Sequence, residues 1–219
     1  MIFLLPHYSM HNTKSIYTIA TLILLILASC FQVQKNPEIE FNNGMDSFKK
    51  GLYPEAISLF RQCIAIDAEH IGAHTYLAYS YYNTDRYADA LMTFDKVLTI
   101  DPENVAALFG RGRVRHSLGD RIGAITEYSR VLKYNSKHQQ ALRYRGLAKY
   151  QMGDFYGATE DYGNAIDFNK DKAVLYHEIG LVYQALGDTV NACANFLKAI
   201  NLGSEESQSQ ITKFCLSGT

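Results

Sequence analysis

Apolar, small and polar residues recur along this chain with a period of 34 residues. The segment GDFYGATEDYGNAI at 153–166 aligns with GDRIGAITEYSRVL at 119–132, and related segments begin at residues 51, 85 and 187. The period defines five units without an insertion: 37–70, 71–104, 105–138, 139–172 and 173–206. Such self-similarity predicts a repeat array in which each unit buries its apolar face against its neighbours.

Three positions in every unit keep the same residue type. A small residue comes first, an alanine follows 12 residues later, and an aromatic residue follows after 4 more. The small residues are Gly44, Ala78, Gly112, Gly146 and Gly180; the alanines are Ala56, Ala90, Ala124, Ala158 and Ala192; the aromatics are Phe60, Phe94, Tyr128, Tyr162 and Phe196. Small residues let two helices approach closely, and an aromatic ring fills the space beside them.

With this pattern each unit resembles the tetratricopeptide repeat, a helix–turn–helix hairpin. The resemblance implies an all-α fold, a right-handed α-solenoid of five such repeats with a C-terminal capping helix. Glycines, or Asp85 in the second unit, would form the turns inside the hairpins, and the aspartates Asp120, Asp154 and Asp188 would cap the second helices. The segment 204–216 predicts a further helix with Ile211, Phe214 and Cys215 towards the array, and we assign the capping helix to 207–219.

The N-terminal segment has the features of an export signal. An apolar run extends from Ile16 to Ala28, Lys14 is the one positive side chain before it, and Met10 offers a second possible start. The ending Leu27-Ala28-Ser29-Cys30 resembles the lipobox of bacterial lipoproteins, which implies a signal peptide at 1–29, lipidation of Cys30 and a short tether at 30–36. The alternatives are an uncleaved membrane anchor and a plain secretory signal with an incidental cysteine.

The net charge of the chain bears on which partners it binds, and the spacing of its cysteines bears on whether it contains a disulfide. From Cys30 onward the chain has 20 Lys or Arg against 22 Asp or Glu, which argues against a general nucleic-acid binder. The other three cysteines are Cys63, Cys193 and Cys215, without paired spacing. Because single cysteines on helices are more often small buried residues, we predict no structural disulfide.

Charge is distributed unevenly among the units. The third unit has seven Lys or Arg against two Asp or Glu. Such a charge run is usually a solvated face, but a basic middle between acidic ends would also prefer a partner with an acidic segment. The seventh position is arginine only in units three and four, and the position 16 residues later is acidic in those same units. This correlation predicts two structural ion pairs between helices, Arg111–Glu127 and Arg145–Asp161.

The resemblance also implies a concave groove lined by the first helices, where partners bind as extended peptides or helices. Carried onto this chain, the partner-binding residues are Tyr76, Tyr79, Tyr82, Phe109, Arg113, His116, Arg143, Tyr144, Tyr150 and His177. Aromatic residues interleaved with arginine are typical of interface hot spots. The alternative is that some of these tyrosines only pack between first helices. The lysine and asparagine clamp of chaperone-binding members is missing, since Phe41, Met45 and Tyr76 occupy its places.

No catalytic constellation, metal site or cofactor motif is evident in the sequence, so we predict a protein that is not an enzyme. His70 and His74 have the spacing of metal ligands on one helix, but His70 falls in the turn between units. We therefore expect a lipid-anchored interaction scaffold or adaptor of the bacterial cell envelope, with the outer membrane favoured because Phe31 replaces the aspartate of inner-membrane retention. A regulatory subunit of a cell-wall hydrolase and a self-associating structural oligomer are the alternatives.

Overall fold

The computed structural model describes residues 36–168 and 172–215, which form eleven α-helices and a closing π-helical turn. The helices are α1 Pro37–Lys49, α2 Tyr53–Ile66, α3 Ile71–Asn83, α4 Tyr87–Ile100, α5 Val105–Ser117, α6 Arg121–Tyr134, α7 Gln139–Gln151, α8 Phe155–Ile166, α9 Lys172–Ala185, α10 Thr189–Asn201 and α11 Glu205–Gln210, and the π-helical turn is Ile211–Cys215. The predicted signal peptide and Cys30 lie outside the described residues.

The helices stack as consecutive hairpins. Each second helix packs on the first helix of its own hairpin and on the first helix of the next one. First helices also contact one another along the array, in the pairs α1/α3, α3/α5 and α5/α7. The predicted all-α solenoid of helical hairpins is confirmed by this arrangement.

A close contact between helices recurs inside the four hairpins whose small residue is glycine. A Cβ atom on Gly112 would lie 2.7 Å from Cε1 of Tyr128, and one on Gly180 would lie 2.5 Å from Cε1 of Phe196. The aromatic residue of this position is almost completely buried in every hairpin: Phe60, Phe94, Tyr128, Tyr162 and Phe196. The small residue is therefore needed because its partner ring occupies the space that a larger side chain would fill.

The turn residues and the helix caps are the ones that the sequence predicts. The turn glycines and Asp85 have positive φ angles, with Asp85 at 55°, so the first helices end in the left-handed conformation. The carboxylates of Asp120, Asp154 and Asp188 accept hydrogen bonds from the backbone N–H three residues later. Local sequence thus fixes where each second helix begins.

The C-terminal end departs from the sequence prediction in one respect. Cys193 of α10 and Cys215 of the π-helical turn form a disulfide, so the prediction that these cysteines stay unpaired is wrong. Their Cα atoms are 5.9 Å apart because the chain turns back at Gly203, whose φ is +96°, and lays α11 and the π-helical turn against α10. The remaining described cysteine, Cys63, is fully buried, and burial raises the pKa of its thiol to about 11.

In the part of the chain that the structure describes, no helix combines the length and the apolar character that crossing a bilayer requires.

The close approach inside the hairpins can be tested at Gly180. We expect Gly180→Ala to lower the free energy of unfolding by about 1–3 kcal/mol, because the new Cβ would collide with the fully buried ring of Phe196. Gly163→Ala is the matched control, since Gly163 lies in α8 and a Cβ added to it would meet no atom within 4 Å. The control should gain about 0.5–1 kcal/mol from better helix propensity. Urea unfolding of both variants would contradict the packing argument if Gly180→Ala were as stable as Gly163→Ala.

Candidate functional site

The first helices α1, α3, α5, α7 and α9 form what we call the concave face. They are the helices that meet their counterparts in neighbouring hairpins, as expected for the inner side of a curved stack. Most of the partner-binding residues predicted from the sequence are half-buried on these helices, and Phe109 is the exception at 7% exposure. Phe109 packs against Tyr128, Tyr144 and His138, so it belongs to the core between hairpins.

Polar contacts link the first helices of neighbouring hairpins, and we call this set the first-helix ladder. Three of its rungs join residues 35 apart: Tyr82 Oη with Ser117 Oγ at 3.3 Å, His116 Nε2 with Gln151 Oε1 at 3.0 Å, and Arg143 Nη2 with Glu178 Oε1 at 2.6 Å. The Tyr79 hydroxyl also donates to the Ala106 carbonyl at 2.8 Å, which joins α3 to α5. Several predicted partner-binding residues therefore have a structural role as well.

The last rung joins the array to its cap. His177 Nδ1 lies 2.8 Å from Ser207 Oγ, and Ser207 is fully buried in α11. His177 thus connects the fifth hairpin to the capping helix. With the disulfide between α10 and the π-helical turn, two different interactions hold the cap in place.

Tyr76 and Tyr150, two further residues predicted to bind a partner, pack against other aromatic rings. Tyr76 lies against the rings of Phe41, Phe48 and Phe60, with centroid distances of 6.2, 5.3 and 6.1 Å. Tyr150 lies 5.8 Å from Phe155 at the turn of the fourth hairpin. Each of these two rings fills space between helices, which is the packing role that the sequence left open for some of the tyrosines.

The centre of the concave face carries an arginine between tyrosines. The guanidinium carbon of Arg113 lies 4.5 Å from the ring centroid of Tyr82 and 5.8 Å from that of Tyr144, which gives cation–π contacts on two sides. Arg143 also lies 5.8 Å from the Tyr144 ring, but its charge is paired with Glu178. The two arginines therefore differ in that only Arg143 has a carboxylate beside it among the described residues.

The charge of the concave face comes from its arginines. Burial lowers the pKa of His116 and of His177 below the ordinary histidine value, which keeps both rings neutral near pH 7. Burial also raises the pKa of Tyr79 to about 12, so its hydroxyl stays protonated and acts as a hydrogen-bond donor. The two histidine rings and the Tyr79 hydroxyl of the concave face are therefore uncharged near pH 7, whereas Arg143 has the Glu178 carboxylate beside it.

Both ion pairs predicted from the correlated charges are present. Arg111 Nη2 lies 2.8 Å from Glu127 Oε1, and Arg145 Nη2 lies 2.6 Å from Asp161 Oδ1. Each arginine also reaches the second helix of the preceding hairpin, where Arg111 binds Asp95 and Arg145 binds Ser129. Glu127 and Asp161 are 4% and 1% exposed, so these pairs connect hairpins inside the protein and offer no surface for a ligand.

His70 and His74 each place a ring nitrogen within hydrogen-bond distance of a backbone group. His70 caps α3 by accepting from Ala73 N–H, with a distance of 3.0 Å to Nδ1. His74 is nearly buried, and its Nε2 lies 2.9 Å from the Ala68 carbonyl oxygen. Across residues 36–168 and 172–215 no three histidine, cysteine or acidic side chains gather in a way that could hold a metal ion.

Three family models of the same repeat match this chain. A tetratricopeptide-repeat model matches residues 41–105 and 75–121, a second matches 173–202, and a model described as TPR repeat matches 146–187. No curated protein matches the chain as a sequence.

Solved structures with the same fold are distant in sequence. A crystal structure of MamA protein is 22% identical, covers 81% of this chain and 94% of its own, and has a TM-score of 0.67. MamA 41-end from Desulfovibrio magneticus RS-1 is 19% identical over 76% of this chain and 94% of its own, with a TM-score of 0.70. YrrB, described as a TPR protein with an unusual peptide-binding site, is 16% identical over 86% of this chain and 97% of its own, with a TM-score of 0.69.

At these identities the structural likeness establishes the fold, and the repeat models establish the kind of unit. This chain is built from tetratricopeptide repeats stacked into an α-solenoid.

Proposed function

We propose that this protein is a scaffold or adaptor that binds a segment of another protein on its concave face. The observation that carries the proposal is the centre of that face, where Tyr79, Tyr82, Arg113, Tyr144 and Leu147 are half-buried on helices α3, α5 and α7. Tyrosine and arginine on a concave surface supply buried area and directed hydrogen bonds, which is what binding hot spots need. The peptide-binding site of YrrB, a protein of the same fold, supports the proposal.

The first-helix ladder supports the same proposal. Because the hydroxyl of Tyr79 and the side chain of Arg143 are already fixed by contacts to neighbouring helices, little side-chain entropy remains to be lost there on binding. A partner would therefore meet a surface whose shape exists before it arrives.

We also propose that the protein is exported and anchored to the membrane through a lipid on Cys30. The resemblance of residues 27–30 to a lipobox supports the anchor, and the Cys193–Cys215 disulfide supports export, since such bonds persist in oxidising compartments. Cys30 itself lies outside the described residues. The proposed location is the bacterial cell envelope, with the outer membrane favoured.

The anchor is tested by metabolic labelling with a clickable fatty acid. We expect the wild-type protein to incorporate the label, and Cys30→Ala to lose it because the thiol that carries the lipid is removed. Cys63→Ala is the control, because Cys63 is fully buried and should not be acylated. Labelling of the Cys30→Ala variant would rule out this anchor.

Self-association is a second candidate function, and one surface feature favours it. Large apolar residues are exposed at equivalent places in the turns of the third, fourth and fifth hairpins: Leu118, Met152 and Leu186 at the ends of the first helices, and Ile122, Tyr156 and Val190 at the starts of the second helices. Tyr156 and Val190 are 82% and 80% exposed. Such a row of exposed apolar side chains could pair with a second copy of the chain.

Affinity capture from detergent-solubilised membranes tests the concave face. We expect Leu147→Glu to lose a partner that the wild type captures, because a charge would then stand between the half-buried Tyr144 and Tyr150 on the same face of α7. Asn164→Glu is the matched control, with the same new residue at an exposed site on α8 of the same hairpin.

The outcome separates the two candidate functions. A foreign protein captured by the wild type and by Asn164→Glu, but not by Leu147→Glu, supports the adaptor. A second, differently tagged copy of this chain captured equally by all three supports self-association. Capture of the same foreign protein by Leu147→Glu would contradict the role of the concave face.

A further inference from the structure

Among the arginines of its hairpin, Arg113 has neither a carboxylate nor a hydrogen-bond acceptor within the described residues. Arg121, which also lacks a carboxylate there, donates to Gln151 Oε1 and to the Gly119 carbonyl. Arg111 is paired with Asp95 and Glu127, Arg115 with Asp120, and Arg130 with Glu127. On the concave face, Arg143 has its own counter-charge in Glu178. Arg113 is thus a partly buried cation whose charge the described part of the protein leaves unbalanced.

The guanidinium of Arg113 is held in a defined position. Tyr82 lies on one side at 4.5 Å and Tyr144 on the other at 5.8 Å, measured from the guanidinium carbon to the ring centroids. Tyr82 is itself fixed by its contact with Ser117 on the next first helix. The Nε atom of Arg113 is buried and has no acceptor among the described residues. A buried donor without a partner is costly, so the position favours an incoming acceptor.

A second donor without a partner lies beside Arg113. Tyr128 is fully buried, and its hydroxyl group finds no hydrogen-bond partner in the part of the chain that the structure describes. Its ring lies 6.0 Å from that of Tyr144 and against Gly112, the residue next to Arg113. The charge of Arg113 acts on this hydroxyl, since it opposes the rise that burial causes in the pKa of Tyr128.

Two donors with unmet hydrogen bonds and one unbalanced positive charge therefore adjoin the same tyrosine ring. A neutral acceptor could satisfy the hydrogen bond of Arg113 but would leave its charge unbalanced. A carboxylate balances the charge and pairs well with the planar guanidinium of the half-buried Arg113, while the fully buried Tyr128 hydroxyl stays out of its reach. The third hairpin has seven Lys or Arg against two Asp or Glu, which adds attraction for a negative group.

We propose that Arg113, flanked by Tyr82 and Tyr144, binds the side-chain carboxylate of an aspartate or glutamate in the protein segment that occupies the concave face. This inference rests on the proposed function, and it specifies the chemistry of the partner. The carboxylate accepts from the Arg113 guanidinium while the two rings exclude water from either side. The partner's acidic residue thus has the place in the third hairpin that Glu178 has beside Arg143.

Binding of two matched peptides to the full-length protein in detergent tests the proposal. Both are fluorescent twelve-residue peptides, acetylated and amidated, with the same leucine, alanine and serine background; one carries three glutamates and the other three glutamines. We expect fluorescence anisotropy to show about tenfold tighter binding of the glutamate peptide, and Arg113→Met to abolish this preference. Because both peptide ends are blocked, a terminal carboxylate cannot produce the signal.

Two further variants test whether the preference for the glutamate peptide depends on Arg113 itself. Lys133→Met removes the same charge from the same hairpin at an exposed site on α6, so it should keep the preference. Tyr128→Phe removes a fully buried hydroxyl without changing the charge or the ring, so it should keep the preference for the glutamate peptide and serve as a second control.

The results separate binding of a carboxylate at Arg113 from binding of a partner elsewhere on the concave face. Equal losses in Arg113→Met and Lys133→Met would reduce the effect to overall charge and overturn the proposal. So would the absence of any preference for the glutamate peptide in the wild type. In either case the capture experiment with Leu147→Glu still judges the proposed function independently, because that variant leaves Arg113 and Tyr128 unchanged.

Discussion

The close contact between a small residue on the first helix and an aromatic ring on the second is the constraint on which this structure depends. At Gly112 and Gly180 the ring already occupies the place of any larger side chain. The contact sets the distance between the two helices of a hairpin, and four of the five hairpins repeat it with glycine as the small residue, so neighbouring hairpins stack in a regular array. The concave face is a consequence of that regular stacking, because the first helices are brought into contact along the array.

The period of 34 residues made the helices and their order predictable from the sequence, because each unit repeats the same small and aromatic positions. The ion pairs of Arg111 and Arg145 were predictable for a related reason, since charge changed at two positions together. The disulfide was not predictable. Its pairing depends on the turn at Gly203, which folds a segment outside the repeats back onto α10, and no periodic signal describes that turn.

The concave face was predictable only in part. The resemblance to the tetratricopeptide repeat predicted which side chains line the groove, but it could not show which of them a neighbouring helix already engages. Arg113 and Arg143 were both predicted to line the groove, yet Glu178 reaches Arg143 from the next first helix and no described carboxylate reaches Arg113. Three rungs of the ladder join residues 35 apart, one more than the repeat, so they depend on the offset between hairpins that only the folded chain defines.

Site-specific photocrosslinking in cells tests the central claim, which is that the concave face meets a partner protein. A photoreactive residue would replace Leu181, half-buried on α9, and in a separate strain Asn164, exposed on α8. The account predicts a discrete crosslinked species from position 181 and none of that mass from position 164. Crosslinks of the same mass from both positions, or from position 164 alone, would contradict it.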